Sequence, residues 1–201
     1  MSIVYNTSIV MTGLVLHLDA ANTKSYPGVG NTFYDISGNG NHHTLVGSPT
    51  VSGKAFGLNE TQGFQRSSAI PNVTANCTVV IWYATTDTQE LWVRGNGSGS
   101  VYLSASYGNN YYHSNCGSPT NYVDLAVVTN PATPTNYRNG AYHMWEAKNV
   151  DFTTWTVYDW FLYGSSWNIT GNIGSIMVYN RTLSAAESAQ NFAAYRGRYG
   201  I

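Results

Sequence analysis

Apolar and polar residues alternate along most of the chain. In the first clear run, Leu14, Leu16 and Leu18 alternate with the residues between them. A period of two residues is that of a β-strand, whose successive side chains point to opposite faces. By this pattern we expect strands at 13–19, 43–47, 54–58, 63–68, 76–84, 89–94, 99–107, 122–128, 140–148, 154–163 and 173–180.

Turn-forming residues separate these runs, as in Ser37–Asn41 and Gly95–Gly99. Many short strands at such spacing are typical of a β-sandwich. The length of 201 residues fits a single domain of ordinary size, and we expect one domain over 1–201. The pattern therefore predicts an all-β sandwich that uses the whole chain.

The end of the chain carries a different pattern, which predicts one helix. Ser184 and Glu187 have the spacing of a capping box, Phe192 and Tyr195 follow on one side, and Gly197 is the expected end. A helix this short is not stable alone in water, so it should dock on the sandwich or on a partner. We assign 184–201 to a helix with a docking tail. The candidate partner-docking residues are Arg196, Arg198, Tyr199 and Ile201.

Charge is sparse and balanced. Lys plus Arg total 9, Asp plus Glu total 10, and charged residues make up 9% of the chain. So few basic residues cannot form the electrostatic footprint that nucleic acid requires. No apolar run is long enough to span a membrane, and no convincing signal peptide opens the chain. We therefore expect neither nucleic acid nor membrane as a partner. Because a protein with so few charges and almost no net charge has little colloidal repulsion between its copies, association is promoted. This favours a homo-oligomer or a subunit of an assembly.

Cysteine and metal chemistry are weakly indicated. Cys77 and Cys116 are too few for a disulfide scaffold, and we expect free thiols, with a bridge as the alternative. The loop Asp35–Asn41 offers oxygen atoms at alternate positions, as a calcium loop does, but lacks the closing Glu, so a structural turn is favoured. His42 and His43 are adjacent and would point to opposite faces of a strand. We predict no metal and no cofactor.

Two blocks of sequence resemble a known family. Gly13–Asn22 with Tyr34–Asn41, and the closing run Gly171–Arg181, are similar to the first and last strands of concanavalin A-like, laminin-G-like jelly-roll domains. The ending Asn191–Ile201 is similar to the endings of such domains in virion structural proteins of tailed phages. The resemblance implies an antiparallel jelly-roll β-sandwich with one short C-terminal helix, but it implies little about function, because jelly rolls include lectins, hydrolases and structural modules.

Hydrolases of this family carry paired carboxylates on alternate positions of one strand. The chain has no Glu-x-Asp-x-x-Glu pattern, and its nearest candidates are Glu146, Asp151 and Asp159, five or more residues apart. These acids are expected to be solvated or to cap turns. From this we predict that the protein is not an enzyme.

Aromatic composition points towards a contact surface. The chain has 16 Tyr, 6 Trp and 6 Phe, and Tyr is enriched where a protein meets another protein or a sugar. The candidate glycan or partner contacts are Tyr107, Tyr111 and Tyr112.

Together these features lead us to expect a non-enzymatic bacteriophage virion protein, such as a capsid-decoration, neck or tail component, made in the host cytoplasm. Its partners would be capsid or tail subunits. The alternative is a lectin-like module that binds host glycans during adhesion, and a third possibility is a glycoside hydrolase.

Overall fold

The computed structural model describes residues 8–87, 91–96, 101–107, 110–128, 137–162 and 169–201, and for 92, 105–107 and 110–112 it describes the backbone alone. The strands are β1 (Leu14–Asp19), β2 (Thr32–Phe33), β3 (His43–Val46), β4 (Thr50–Ser52), β5 (Ala55–Leu58), β6 (Gly63–Arg66), β7 (Cys77–Ala84), β8 (Leu91–Gly95), β9 (Tyr102–Tyr107), β10 (Asn110–Ser114), β11 (Gly117–Val123), β12 (Ala126–Val128), β13 (Tyr142–Val150), β14 (Tyr158–Trp160) and β15 (Gly171–Tyr179). One helix, α1 (Ala185–Tyr199), follows them.

These strands form two antiparallel sheets. Within the described residues the eight-stranded sheet has the order β12-β11-β13-β7-β15-β5-β4, and β1 also pairs with β15. The seven-stranded sheet has the order β10-β9-β8-β14-β6-β3-β2. Strand β15 pairs with β5 through its first residues and with β1 after an irregularity between Ile173 and Ser175. The predicted fold class, an all-β antiparallel jelly-roll sandwich with one C-terminal helix, is confirmed.

Strand β7 explains why the middle of the eight-stranded sheet is apolar on both faces. Val79 and Ile81 belong to the main core between the sheets, whereas Val80 and Trp82 belong to a second cluster on the opposite face. Because alternate residues point to opposite faces, a strand that is buried on both sides reads as a continuous apolar run. Helix α1 covers the second face.

Helix α1 docks through aromatic stacking. The ring of Trp82 stacks with those of Phe192, Tyr195 and Tyr199, at centroid distances of 5.7, 6.0 and 4.8 Å. Of the two docking surfaces left open by the sequence, the sandwich and a partner, the structure shows Phe192 and Tyr195 on the sandwich.

The predicted beginning of the helix is confirmed, but the predicted end is wrong. Ser184 is the N-cap and forms a capping box with Glu187. The helix continues through Gly197 and ends at Gly200, which adopts the left-handed conformation (φ 83°). A glycine inside a helix costs about 1 kcal/mol, while burying a Tyr contributes roughly 1.5 to 3 kcal/mol. Burial of Tyr199 therefore outweighs the cost of Gly197.

Several short or polar strands were not predicted. They are β2, β4, β10 and most of β11. The strand predicted at 122–128 is instead a hairpin, because Asp124 and Leu125 have positive φ values of 48° and 72° and reverse the chain between β11 and β12. That residues 1–201 form a single domain stays a prediction. No helix in the described ranges is long and apolar enough to cross a membrane.

Candidate functional site

A row of side chains with polar groups crosses the seven-stranded sheet from edge to edge. Its members are partners in the strand register, one on each strand, and we name it the polar row: Thr32, Thr44, Gln65, Asp159, Arg94, Tyr102 and Ser114. Tyr158 and Trp160 are buried in the core, so Asp159 between them lies on the opposite, outer face of this sheet. Because cross-strand neighbours have Cβ atoms about 4.5 to 5.5 Å apart, the row is a continuous strip of hydrogen-bonding groups.

Asp159 fixes the centre of the polar row. It is 1% exposed. Its Oδ1 accepts a hydrogen bond from Gln65 Nε2 at 2.7 Å, and its Oδ2 accepts from Arg94 Nε at 3.1 Å and Nη2 at 2.8 Å. Hydrogen bonds to a charged acceptor are the strong ones, so both donor side chains are held in place. Gln65 is exposed and the Arg94 side chain is 20% exposed. A ligand lying on this face would therefore meet an amide and a guanidinium that are already oriented.

Aromatic positions lie beside the polar row. Ser104 pairs with Trp92 on one side and with Tyr112 on the other, two residues along the strands from Arg94, Tyr102 and Ser114. Trp92 and Tyr112 therefore occupy strand positions two residues from members of the polar row.

The predicted contact residues Tyr107, Tyr111 and Tyr112 lie on β9 and β10, the two strands at one edge of the same sheet. Their side chains lie outside the described part of the structure. In the register, Tyr112 pairs with Ser104, and Tyr111 pairs with Ala105, which in turn pairs with the core residue Leu91. The structure thus brings these predicted positions to the sheet that carries the polar row.

Sequence reasoning missed the centre of this site. In the sequence, Asp159 is a candidate only as a catalytic acid, and Gln65 and Arg94 are not candidates. The available signal is that each of them directly follows an apolar or aromatic residue of a predicted strand, as Asp159 follows Tyr158. Their contact depends on strand pairing between residues up to 94 positions apart, which alternation alone does not determine.

The predicted partner-docking residues divide into two groups. Tyr199 is 4% exposed and stacks on Trp82, and Arg198 Nη1 donates to both carboxylate oxygens of Asp19 at 2.8 Å, so these two side chains hold the protein's own fold together. Arg196 and Ile201 are exposed. A role in docking a partner stays a prediction for all four residues.

The Asp35–Asn41 loop is a hydrogen-bonded turn. Asp35 Oδ1 accepts from the backbone N–H of His17 and Ser37, and its Oδ2 accepts from Ser37 Oγ and the backbone N–H of Asn41, at 2.9 Å in each case. Asn39 and Asn41 donate to the carbonyls of Leu14 and Val15. These contacts support the interpretation as a structural turn that holds β1.

The adjacent histidines differ in burial, and only His43 lies in a strand, at the start of β3. His42 is exposed and His43 is buried, and Trp160 Nε1 donates to His43 Nε2 at 2.9 Å. Burial lowers the pKa of His43 to about 3. Within the described ranges, no group of three or more His, Cys, Asp and Glu residues could hold a metal ion.

Cys77 and Cys116 are free thiols, and both are buried. Burial raises the pKa of Cys77 and raises that of Cys116 to about 12. A thiol with a raised pKa carries little thiolate and is a poor nucleophile.

The acids considered for catalysis lie on different elements. Glu146 is on β13 of the eight-stranded sheet, whereas Asp159 is on β14 of the other sheet. Asp151 Oδ1 accepts from the backbone N–H and the hydroxyl of Thr153, as a turn-capping acid does. The structure therefore does not place Glu146 and Asp159 on one strand face.

Comparison with known proteins finds similarity in structure. No family model matches the chain. No curated protein matches it. Trypanosoma rangeli sialidase in complex with sialic acid is similar with a TM-score of 0.57 at 13% identity, over 92% of this chain and 33% of the sialidase chain. Domain 4 of AbnA, a GH43 extracellular arabinanase from Geobacillus stearothermophilus, in complex with arabinotriose, is similar with a TM-score of 0.54 at 13% identity, over 90% of this chain and 98% of that one. The chain spans about a third of the sialidase.

These similarities concern the fold, because the identities are low. They agree with the β-sandwich part of the predicted resemblance to jelly-roll domains, whereas the phage part of that resemblance stays a prediction.

The prediction that the protein is not an enzyme is wrong. About a third of a sialidase chain and one domain of an arabinanase have a similar fold, so the fold occurs within glycan-acting enzymes. The error lies in the criterion, because a missing Glu-x-Asp-x-x-Glu pattern excludes only one arrangement of catalytic groups. Glycosidases also bring their carboxylates together from separate elements, and sialidases use a Tyr nucleophile.

Proposed function

We propose that this protein is a glycan-binding module and that it binds its ligand on the outer face of the seven-stranded sheet. The observation that carries the proposal is the polar row, with Asp159 holding Gln65 and Arg94 at its centre. A sugar chain presents many hydroxyl groups, each of which both donates and accepts hydrogen bonds. A preorganised strip of amide, guanidinium, hydroxyl and phenol groups suits such a ligand, because little ordering cost remains to be met on binding.

The aromatic positions support the same ligand class. Tyr102 belongs to the polar row, and Trp92 and Tyr112 have register positions beside it. Aromatic residues offer an apolar body with a polar group at its edge, which suits the alternating apolar faces and hydroxyl-bearing edges of sugar rings. The sheet therefore combines positions for stacking with groups for hydrogen bonding.

The similar structures favour carbohydrate over other polymers. Domain 4 of AbnA has nearly the length of this chain and was solved in complex with arabinotriose. Trypanosoma rangeli sialidase was solved in complex with sialic acid. These two sugars give the first probes, one a neutral oligosaccharide and the other an acidic monosaccharide.

The test is a binding titration of the full chain against arabinotriose, sialic acid and a panel of neutral oligosaccharides by isothermal titration calorimetry. We expect at least one sugar to bind, and Gln65→Ala to weaken that binding by about tenfold, the effect of roughly one hydrogen bond. Gln190→Ala is the matched control, because Gln190 lies on α1 and its amide donates to the Ser8 carbonyl. No binding across the panel, or equal loss in both variants, would contradict the proposal.

We also propose a setting for such a module, the virion of a tailed phage, where it would contact capsid or tail subunits and host glycans. The support is the similarity of the ending Asn191–Ile201 to phage virion domains and the low charge of the chain. Mass spectrometry of purified particles from the source tests this setting. Particles of normal composition that lack the protein would contradict it.

A further inference from the structure

Two exposed side chains, Tyr34 and His42, lie beside the β2 end of the polar row. Tyr34 directly follows β2, and His42 directly precedes β3. Tyr34 is two residues from Thr32 of the polar row, and His42 is two residues from Thr44, a separation of roughly 7 Å along an extended chain. The two rings contact each other, with centroids 5.2 Å apart and planes inclined at 70°. We name Tyr34 and His42 the aromatic pair.

The imidazole of His42 is held in one orientation and one tautomer. The backbone N–H of Asp35 donates to His42 Nδ1 at 3.0 Å. A ring nitrogen that accepts a hydrogen bond carries no proton, so the proton of the neutral imidazole is on Nε2. His42 is exposed, and its Nε2–H donates to no group among the described residues. The aromatic pair therefore offers a fixed hydrogen-bond donor at the surface.

The backbone on which the aromatic pair stands is also fixed. The backbone N–H of Tyr34 donates to the Ser25 carbonyl at 2.7 Å, and the His42 carbonyl accepts from Arg66 Nη1 at 3.3 Å. Tyr34 is nevertheless 41% exposed. A ligand would therefore meet an open phenol ring on an ordered backbone, and little ordering cost would remain to be met on binding.

Charged groups near the aromatic pair and in the polar row occur as opposite pairs. In the polar row, Arg94 donates twice to Asp159. Close to the aromatic pair, the guanidinium of Arg66 interacts with the carboxylate of Asp35. An anion or a cation would therefore meet both attraction and repulsion on this surface. A neutral ligand with many hydroxyl groups suits it best.

We propose that the aromatic pair binds the terminal residue of a neutral oligosaccharide whose next residues lie on the polar row. The apolar face of that sugar ring would pack on the ring of Tyr34, because an aromatic ring gives a large apolar contact. One of its hydroxyl groups would accept a hydrogen bond from His42 Nε2–H. This inference rests on the proposed glycan binding and adds the class of sugar and the position of its end.

The spacing of the strands sets the length of such a ligand. Thr32, Thr44 and Gln65 are register partners on three neighbouring strands. Neighbouring strands lie about 4.8 Å apart, so Gln65 is roughly 10 Å from Thr32, and about three sugar residues would reach from Gln65 to the aromatic pair. A trisaccharide should therefore bind more tightly than the corresponding monosaccharide.

The test is a calorimetric titration of full-length variants with the neutral oligosaccharide that binds best in the panel. Tyr34→Ala should weaken binding about tenfold, whereas Tyr34→Phe, which keeps the ring, should weaken it no more than about threefold. Because Tyr34 is exposed, both variants should keep the melting temperature of the unaltered protein. Val51→Ala is the control, an exposed apolar residue on β4 of the other sheet, and should bind as the unaltered protein does.

A second variant tests the hydrogen-bond donor and does not depend on the fate of Tyr34→Ala. The side-chain oxygen of Asn can lie near the position of Nδ1, so His42→Asn keeps an acceptor for the Asp35 N–H and removes Nε2–H. It should weaken binding about fivefold, the effect of roughly one hydrogen bond. In an NMR titration with the same oligosaccharide, the ring signals of Tyr34 and His42 should shift together with the amide of Gln65.

The outcomes separate this inference from the proposed function. Binding that Gln65→Ala weakens, but that Tyr34→Ala and His42→Asn leave unchanged, would overturn this inference and leave the proposed function standing. Tighter binding of sialic acid than of every neutral sugar in the panel would overturn the choice of a neutral ligand. If no sugar binds, the proposed function and this inference are both contradicted.

Discussion

Arg198 binds Asp19 through both carboxylate oxygens at 2.8 Å and so joins the last turn of α1 to the end of β1, 179 residues earlier in the chain. Asp19 is 2% exposed and also accepts a hydrogen bond from Tyr195 Oη at 3.0 Å. The helix is thereby fixed at its C-terminal end by a charged contact and along its length by stacking on Trp82.

This contact predicts different effects for the two arginines at the end of the helix. Arg198→Ala should lower the free energy of unfolding by about 2 kcal/mol, because it leaves a nearly buried carboxylate with one partner fewer. Arg196→Ala, at an exposed position in the same turn, should change it by no more than about 0.5 kcal/mol. Urea denaturation of both variants measures the difference, and equal stabilities would show that the Asp19 contact contributes nothing.

Two buried tyrosines of α1 should respond differently to loss of the hydroxyl. Tyr195 Oη contacts Asp19 and, at 2.8 Å, His17 Nε2, so Tyr195→Phe should cost roughly 1 to 3 kcal/mol. Tyr199 Oη is buried without a hydrogen-bond partner in the described structure, so Tyr199→Phe should be neutral or stabilising. Thermal unfolding of the pair tests this, and a Tyr199→Phe loss as large as that of Tyr195→Phe would contradict it.

His43 should make stability depend on pH below neutrality. Trp160 Nε1 can only donate, so His43 Nε2 is the acceptor and Nδ1 carries the proton towards the Asn41 carbonyl. Burial lowers the pKa of His43 from 6.5 to about 3. The unfolded chain then binds the proton more readily than the folded protein, so this contribution to stability is full above pH 6.5 and is lost as the pH falls towards 3.

The measurement is the pH titration of the His43 ring signals by NMR, combined with unfolding at several pH values. The His43 signals should stay unchanged as the pH falls through 6.5, while stability declines. His17, whose pKa burial also lowers, contributes in the same direction. A midpoint for His43 near 6.5 would contradict the buried, neutral assignment.

The two cysteines should be protected from thiol reagents. Both are buried, and burial raises the pKa of each thiol. The native protein should therefore react slowly with Ellman's reagent, and both thiols should become reactive in guanidinium chloride. Rapid reaction of either thiol in the native state would show that it is more accessible than the structure indicates.

Much of the fold could be predicted because local patterns and the global fold agree. The alternation around Leu14–Asp19 and the capping box at Ser184 each depend on a few neighbouring residues, and both are confirmed. Strands such as β2 and β4 escaped prediction because two or three residues are too few to show a period. The helix end at Gly200 escaped because Gly197 and Gly200 carry the same local stop signal, and the choice between them depends on the contact of Tyr199 with Trp82, which is not local.

The candidate site was less predictable than the fold. Tyr107, Tyr111 and Tyr112 form a cluster in the sequence, and the fold places them on the edge of the sheet with the polar row. Asp159 and Gln65, by contrast, come from distant parts of the chain and meet only through strand register.

Glycan binding on the outer face of the seven-stranded sheet is the central claim, and chemical-shift mapping tests it most directly. The ¹⁵N-labelled chain would be titrated with the sugar that binds best in the calorimetric panel. We expect the largest amide shifts to fall on Gln65, Arg94, Tyr102 and Asp159, and we expect Gln65→Ala to reduce them. Shifts spread over the helix-covered sheet, with none along these four residues, would contradict it.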